Sequence, residues 1–244
     1  MNSKNISAPE CDLEKSPQNA ACNVFADIVQ RRRSVRGFLA TRLPVNQLQA
    51  IFSLACLAPS NCNTQPWLVY VISGDILRRT RKALIKSVHD GERTQDFSDN
   101  FDKYPPGAPL TRKFDSATRL YQAMNIDRCD KEGRQQALMR NFNFFGAPHV
   151  AFLCLPEWAG AREAADLGIY AQTLMLAMTA HGVGSCPQGA VGLYVEPIKR
   201  MLGIPEAHKL MFAISFGLED SSMPANAART PRAPLEETTF FLDN

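Results

Sequence analysis

Apolar residues recur at helical spacing in VFADIVQRR (24–32), where Val24, Phe25, Ile28 and Val29 share a side and Asn23 is placed to cap the first turn. The pattern resumes after Pro44 through Leu48, Ile51, Phe52 and Ala55 until Pro59 stops it. Three continuous apolar runs have strand length: WLVYVIS (67–73), HVAFLCL (149–155) and HKLMFAISFG (208–217). Further helices are predicted over 75–88, 116–126, 131–144 and 195–203. EAADLGIYAQTLMLAMTAHG (163–182) is apolar nearly all round, so it is expected to be covered on most sides, with Gly182 just past its end.

Between these elements lie three polar stretches. Residues 1–22 read as a loose leader. Residues 90–115, with Pro105-Pro106-Gly107 in the middle, read as a long surface loop of the kind that carries function. From Ser221 onward the chain is Pro- and Ala-rich and reads as extended. No repeat or linker divides residues 23–244, which are taken as one domain. Few strands among many helices predict an α+β fold, a small sheet with helices on both sides. A doubly wound dinucleotide fold is excluded: G-x-G-x-x-G is missing, and Gly182-Val183-Gly184 follows a helix where a strand is required.

Charge and composition narrow the function. The net charge is only +3 over 244 residues, so a basic cluster is a local feature, and a nucleic-acid partner is not expected. Seven cysteines without C-x-x-C spacing suit a reducing compartment, and the four scattered histidines suggest no metal site. Neither a secretion signal nor an apolar run of membrane-spanning length is present, so a cytoplasmic protein without a membrane partner is expected.

Two stretches carry candidate chemistry. In RRRSVRGF (31–38), Arg31, Arg32 and Arg33 end a helix and complement its dipole. An extended continuation puts Ser34 and Arg36 on one face with Arg32, a hydroxyl between two guanidinium groups, as a phosphate monoester requires. A solvated charge run remains the alternative. In APSNCNTQPW (58–67), Ser60, Asn61, Asn63, Thr64 and Gln65 crowd a loop between helix and strand. They serve either as turn formers or as donors and acceptors for a hydroxyl- and amide-rich ligand.

Together with Gly182-Val183-Gly184-Ser185-Cys186-Pro187-Gln188-Gly189 and Arg229-Thr230-Pro231-Arg232, these stretches resemble the nitroreductase family of FMN-dependent oxidoreductases, with four blocks in order over roughly residues 24–240. The resemblance implies a small, mainly antiparallel sheet flanked by helices, in a domain-swapped homodimer whose extended C-terminal tail embraces the partner. It implies that Arg32, Arg33, Ser34 and Arg36 hold the FMN phosphate, joined by Arg229 and Arg232. Pro59, Ser60 and Asn63 would approach the flavin of the other subunit, and Pro187, Gln188 and Gly189 would line its ring. Arg140-Asn141-Phe142-Asn143 would reach the pyrimidine end. Many members have Glu where this chain has Gln188, so a carboxylate role is lost there.

The implied activity is hydride transfer from NADH or NADPH, through flavin N5, to an electron-poor acceptor such as a nitroaromatic or quinone, with ping-pong kinetics and no acid–base residue. Phe97, Phe101, Tyr104, Phe114 and Tyr121 are candidate stacking residues for the acceptor, or ordinary loop anchors. Phe240 and Phe241 are expected to be buried, against a partner. The alternatives are a dehalogenating or flavin-cleaving relative, a flavin-storage protein without turnover, and a nucleic-acid module built on the arginines.

Overall fold

A computed structural model describes residues 17–98 and 104–242. The elements run α1 (Pro17–Arg31), α2 (Val45–Ala55), β1 (Leu68–Ser73), α3 (Gly74–Asp90), α4 (Ala108–Ala123), α5 (Lys131–Phe142), β2 (His149–Pro156), α6 (Ala161–Ala180), β3 (Gly184–Gln188), α7 (Val195–Leu202) and β4 (His208–Gly217). The four strands form one antiparallel sheet in the order β1-β2-β4-β3.

The central pair explains why the apolar runs were continuous. Ala151, Leu153 and Leu155 of β2 pack into a core with Leu167, Leu174 and Met178 of α6 and Ile51 of α2. Val150, Phe152 and Cys154, on the opposite face, pack with Leu84 of α3 and Ile198 of α7. A strand buried on both faces has no polar side to alternate with. The result is three layers, helices on each face of the sheet, as the sequence predicts.

Several boundaries differ from the sequence reading. The first helix begins at Pro17, so Asn23 lies inside it and the predicted leader is helical over its last residues; residues 1–16 lie outside the described part. Proline is well suited to a helix start, where its missing N–H costs nothing. Helix α2 stops at Ala55, short of Pro59. Helix α4 begins at Ala108, inside the expected loop, with a proline in its first turn. Strand β1, a continuous apolar run like β2 and β4, is nonetheless an edge strand whose Val71 is exposed.

The fourth strand, β3, was not foreseen, since GSCPQ shows neither alternation nor an apolar run. It lies at the end of the strand order with β4 as its one strand neighbour, a position where Pro187 can dispense with a ladder N–H on the side away from β4. Helix α6 is less enclosed than expected: Ala165, Gly168, Ile169 and Gln172 form an exposed strip. Gly182, with φ +72°, does close that helix in the left-handed conformation its position called for. Beyond β4, the described part of the tail forms a bridge from Glu219 to Phe38 and short 3-10 turns at Pro224–Ala227 and Leu235–Glu237.

Candidate functional site

The arginine segment leaves α1 and runs as a ribbon along the sheet edge. Val35 N–H donates to Ser185 O of β3 at 2.9 Å, Ser34 and Ser185 form a parallel bridge, and Leu39 N–H reaches Leu218 O at 2.9 Å. Val35 and Phe38 turn inward and pack with Phe145, Ala147 and Cys186. Ribbon geometry then directs Arg32, Ser34 and Arg36 to the other side.

There they meet the far end of the chain. Arg32, Ser34, Arg36, Arg229 and Arg232 line one cavity of about 560 Å³. Helix α4 covers it with Ser116 and Leu120, and α6 contributes Gln172. Among the described residues, no carboxylate pairs with Arg32, Arg36, Arg229 or Arg232. Burial, and after it the charge of Arg232, hold the Arg32 guanidinium below its ordinary pKa. Beneath the cavity, burial pushes the Cys186 thiol up to about 11, although Arg36, Ser34 and Arg32 pull the other way. Converging like charges without a counter-ion are costly unless an anion completes the site.

Arg33 is placed differently. It borders the cavity, but its guanidinium is ion-paired with Glu219 and donates to Asn226 O at 3.1 Å. Gln188 is buried and its amide is committed inward, with Nε2 donating to Asn141 O at 2.7 Å and Oε1 accepting from Ser215. Its side chain is therefore structural, while Pro187 and Gly189 beside it are exposed. Arg140 Nη2 donates to Arg36 O at 2.7 Å, bracing the ribbon from behind.

Pro59, Ser60 and Asn63 do not join this cavity within one chain. They sit on a separate exposed turn, where Cys62, Asn63 and Gln65 all have positive φ (50°, 56° and 46°). Gln65 N–H caps onto Ser60 Oγ at 2.9 Å, and the buried carboxylate of Asp166 accepts Asn61 N–H. The candidate stacking residues are dispersed as well. Phe97 packs against the core, the ammonium of Lys113 lies 4.6 Å from the Tyr104 ring centroid, and Phe114 and Tyr121 lie on α4. Phe101 lies outside the described residues. Phe97 thus serves as a loop anchor, the plainer of the two expectations.

Sequence reasoning missed Ser116, Leu120, Gln172, Asp166, Glu219 and Asn226. Each sits in a stretch without a motif. Only the fold brings Asp166 to the 59–65 turn and the others to the arginine segment and its cavity.

Among the described residues, no group of three His, Cys, Asp or Glu side chains could hold a metal ion, and no helix is long and apolar enough to cross a membrane. The described cysteines are all free; Cys154 and Cys186 are buried, whereas Cys56, in an apolar run, is exposed.

Comparison with known proteins gives a consistent picture. A family profile described as "Nitroreductase family" matches residues 29–218. The chain is 43% identical over 214 residues to nitroreductase NfnB of Mycolicibacterium smegmatis, covering 88% of this chain and 91% of that protein. It is 30% identical over 230 residues to a 4-nitrobenzoate reductase of Pseudomonas putida, covering 89% and 95%. Among solved structures, FMN-dependent nitroreductase NfnB from Mycobacterium smegmatis in complex with NADPH superimposes with a TM-score of 0.88 at 41% identity, covering 91% of this chain and all of that one.

Proposed function

The chain belongs to the nitroreductase family, and from that premise we propose that it is an FMN-dependent oxidoreductase that uses NADPH or NADH to reduce nitroaromatic compounds and, by the same route, quinones. The observation that carries this reading is the set of four guanidinium groups, Arg32, Arg36, Arg229 and Arg232, around one cavity with the Ser34 hydroxyl and no carboxylate partner. Their chemistry fits a phosphate dianion: charge-assisted donors from several directions and one neutral donor.

When bound, FMN supplies the redox chemistry, accepting a hydride from the nicotinamide and delivering it to the acceptor. The protein binds and orients. Arg32, Ser34 and Arg36 would grip the phosphate from the ribbon and Arg229 and Arg232 from the tail, with Arg33 serving as their brace through Glu219. Helix α4 shields this end from water. Uncompensated positive charge at the site favours an electron-rich ligand in the same manner as an oxyanion hole. The exposed backbone beside Pro187 and Gly189 remains free to meet the ring. Nucleotide and acceptor take turns at one place, which gives ping-pong kinetics.

The second half of the reading is a homodimer. Residues 59–65 offer hydroxyl and amide groups away from the arginine cavity, as expected if they serve a flavin held by the other subunit. Val24 and Phe25 on α1, Leu54 on α2 and Leu57 just beyond its end, and Ile169 on α6 are exposed on the single chain. So are Phe240 and Phe241 of the tail, at 75% and 79%. That much apolar surface calls for a cover, and a second copy supplies it. The free cysteines accord with a cytoplasmic location.

The test is anaerobic mixing of the FMN-loaded protein with NADPH or NADH, followed by a nitroarene. Rapid bleaching of the yellow colour and its return on addition of the nitroarene are expected. A protein that binds no FMN, or whose bound FMN neither nicotinamide bleaches, overturns the proposal.

A further inference from the structure

The tail turn at Pro224–Ala227 contains one buried polar side chain, Asn226, which is only 4% exposed. Its amide is fully used. Oδ1 accepts Arg36 N–H at 2.6 Å, and Nδ2 donates to Gly37 O at 2.9 Å and to Asp220 O at 2.8 Å. Its main-chain carbonyl accepts twice more, from Arg33 Nη1 at 3.1 Å and from Arg229 Nη1 at 2.7 Å. One residue therefore binds the backbone of the arginine ribbon, the chain leaving β4, and guanidinium groups from both ends of the sequence.

We propose that Asn226 is the positioning residue of the anion cradle: it fixes the distance between the ribbon that presents Arg32, Ser34 and Arg36 and the tail that presents Arg229 and Arg232. The assignment rests on the flavin-phosphate reading above and adds a residue to it. The chemistry selects asparagine. A single planar group must accept once and donate twice over a short reach; aspartate cannot donate, and serine has only one donor. Neither half of the cradle touches the other through covalent structure near the site, since nearly two hundred residues separate them. Without the clasp, four unpaired guanidinium groups would repel one another apart, and the geometry needed for several simultaneous phosphate bonds would be lost.

Gly37 makes the contact possible. A Cβ there would lie 2.4 Å from Met223 Cγ, 2.5 Å from Met223 Cβ and 3.3 Å from Asn226 Nδ2, so any side chain would push the tail turn away from the ribbon. Asn226→Ala removes the clasp chemically, and Gly37→Ala pries it open sterically.

The experiment is a fluorescence titration of apo-protein with FMN and, separately, with riboflavin, which shares the ring and ribityl chain but lacks the phosphate. Asn226→Ala is expected to raise the FMN Kd by about tenfold or more, as loss of one charge-assisted phosphate contact does, while the riboflavin Kd stays within about twofold. Gly37→Ala is expected to show the same selective loss and gives a separate route should Asn226→Ala fold poorly. A merely structural role would weaken both ligands together. Equal weakening, or an undiminished preference for FMN in both variants, overturns the clasp. A wild-type protein with no preference for FMN over riboflavin overturns the flavin-phosphate reading itself, and the clasp with it.

Discussion

Asp166, on the buried side of α6, accepts the backbone N–H of Asn61 on both carboxylate oxygens, at 3.1 and 3.2 Å. The bond secures a turn in which three of four consecutive residues, Cys62, Asn63 and Gln65 among positions 62–65, adopt the left-handed conformation that L-residues avoid. Such a turn persists only when its surroundings enforce it.

Asp166→Ala is accordingly expected to cost about 1–2 kcal/mol of folding stability, read from urea denaturation. Because residues 59–65 lie away from the arginine cavity proposed to hold the phosphate, the variant is also expected to weaken FMN and riboflavin by the same factor. A selective effect on FMN would contradict that assignment.

The arginines divide into two kinds. Arg32→Ala or Arg232→Ala removes an unpaired guanidinium from the cavity and is expected to cost about 1.5–3 kcal/mol of FMN binding each. Arg33→Ala breaks the pair with Glu219 and should show mainly as lost stability, about 1 kcal/mol given its partial exposure. Titration and thermal melts on the three variants separate the effects; an equal loss of FMN affinity in all of them would refute the distinction.

His149 makes stability depend on pH. Its Nε2 accepts Leu43 N–H at 2.9 Å and its ring stacks on Phe216, so the folded protein holds the neutral form. Burial, and next the charge of Arg42, lower its pKa from the ordinary 6.5. The unfolded chain therefore takes up a proton more readily than the folded one as pH drops below about 6.5. The stabilisation is complete above that value and declines as pH falls toward the depressed folded pKa. Denaturation midpoints at pH 8, 6.5 and 5 should decline across this window in the wild type and less so in His149→Gln.

The tail tests the dimer. Phe240→Asp together with Phe241→Asp exposes charge where the reading places a buried contact. Each Phe ring contributes about 1.5–3 kcal/mol when buried, and a two-fold interface counts every one twice. Sedimentation should therefore show a shift from dimer to monomer, accompanied by loss of bound flavin because residues 59–65 would no longer reach it. A dimer unchanged in both respects would place these rings elsewhere.

Much of this protein was legible before any coordinates. Apolar runs in β2 and β4, and the helical spacing of α2, α3 and α6, reflect burial, and burial writes itself into composition residue by residue. The arginine segment and the APSNCNTQPW turn were visible because several polar groups of matching chemistry stood close together in the chain. Strand β3 was not visible, since an edge strand makes few demands on its side chains and tolerates Gly184 and Pro187. Nor was the fate of Gln188, whose amide bonds Asn141 and Ser215 from other elements.

Sequence alone thus determined which residue types were present for the chemistry and which segments had to be buried, because both are local properties. Which arginines face the cavity, which one is diverted to Glu219, and that Asn226 draws both ends of the chain together were decided only by tertiary structure. Hydrogen bonds and ion pairs between residues some 190 positions apart leave no periodic trace, for they exist only once the sheet has fixed the distance between their partners.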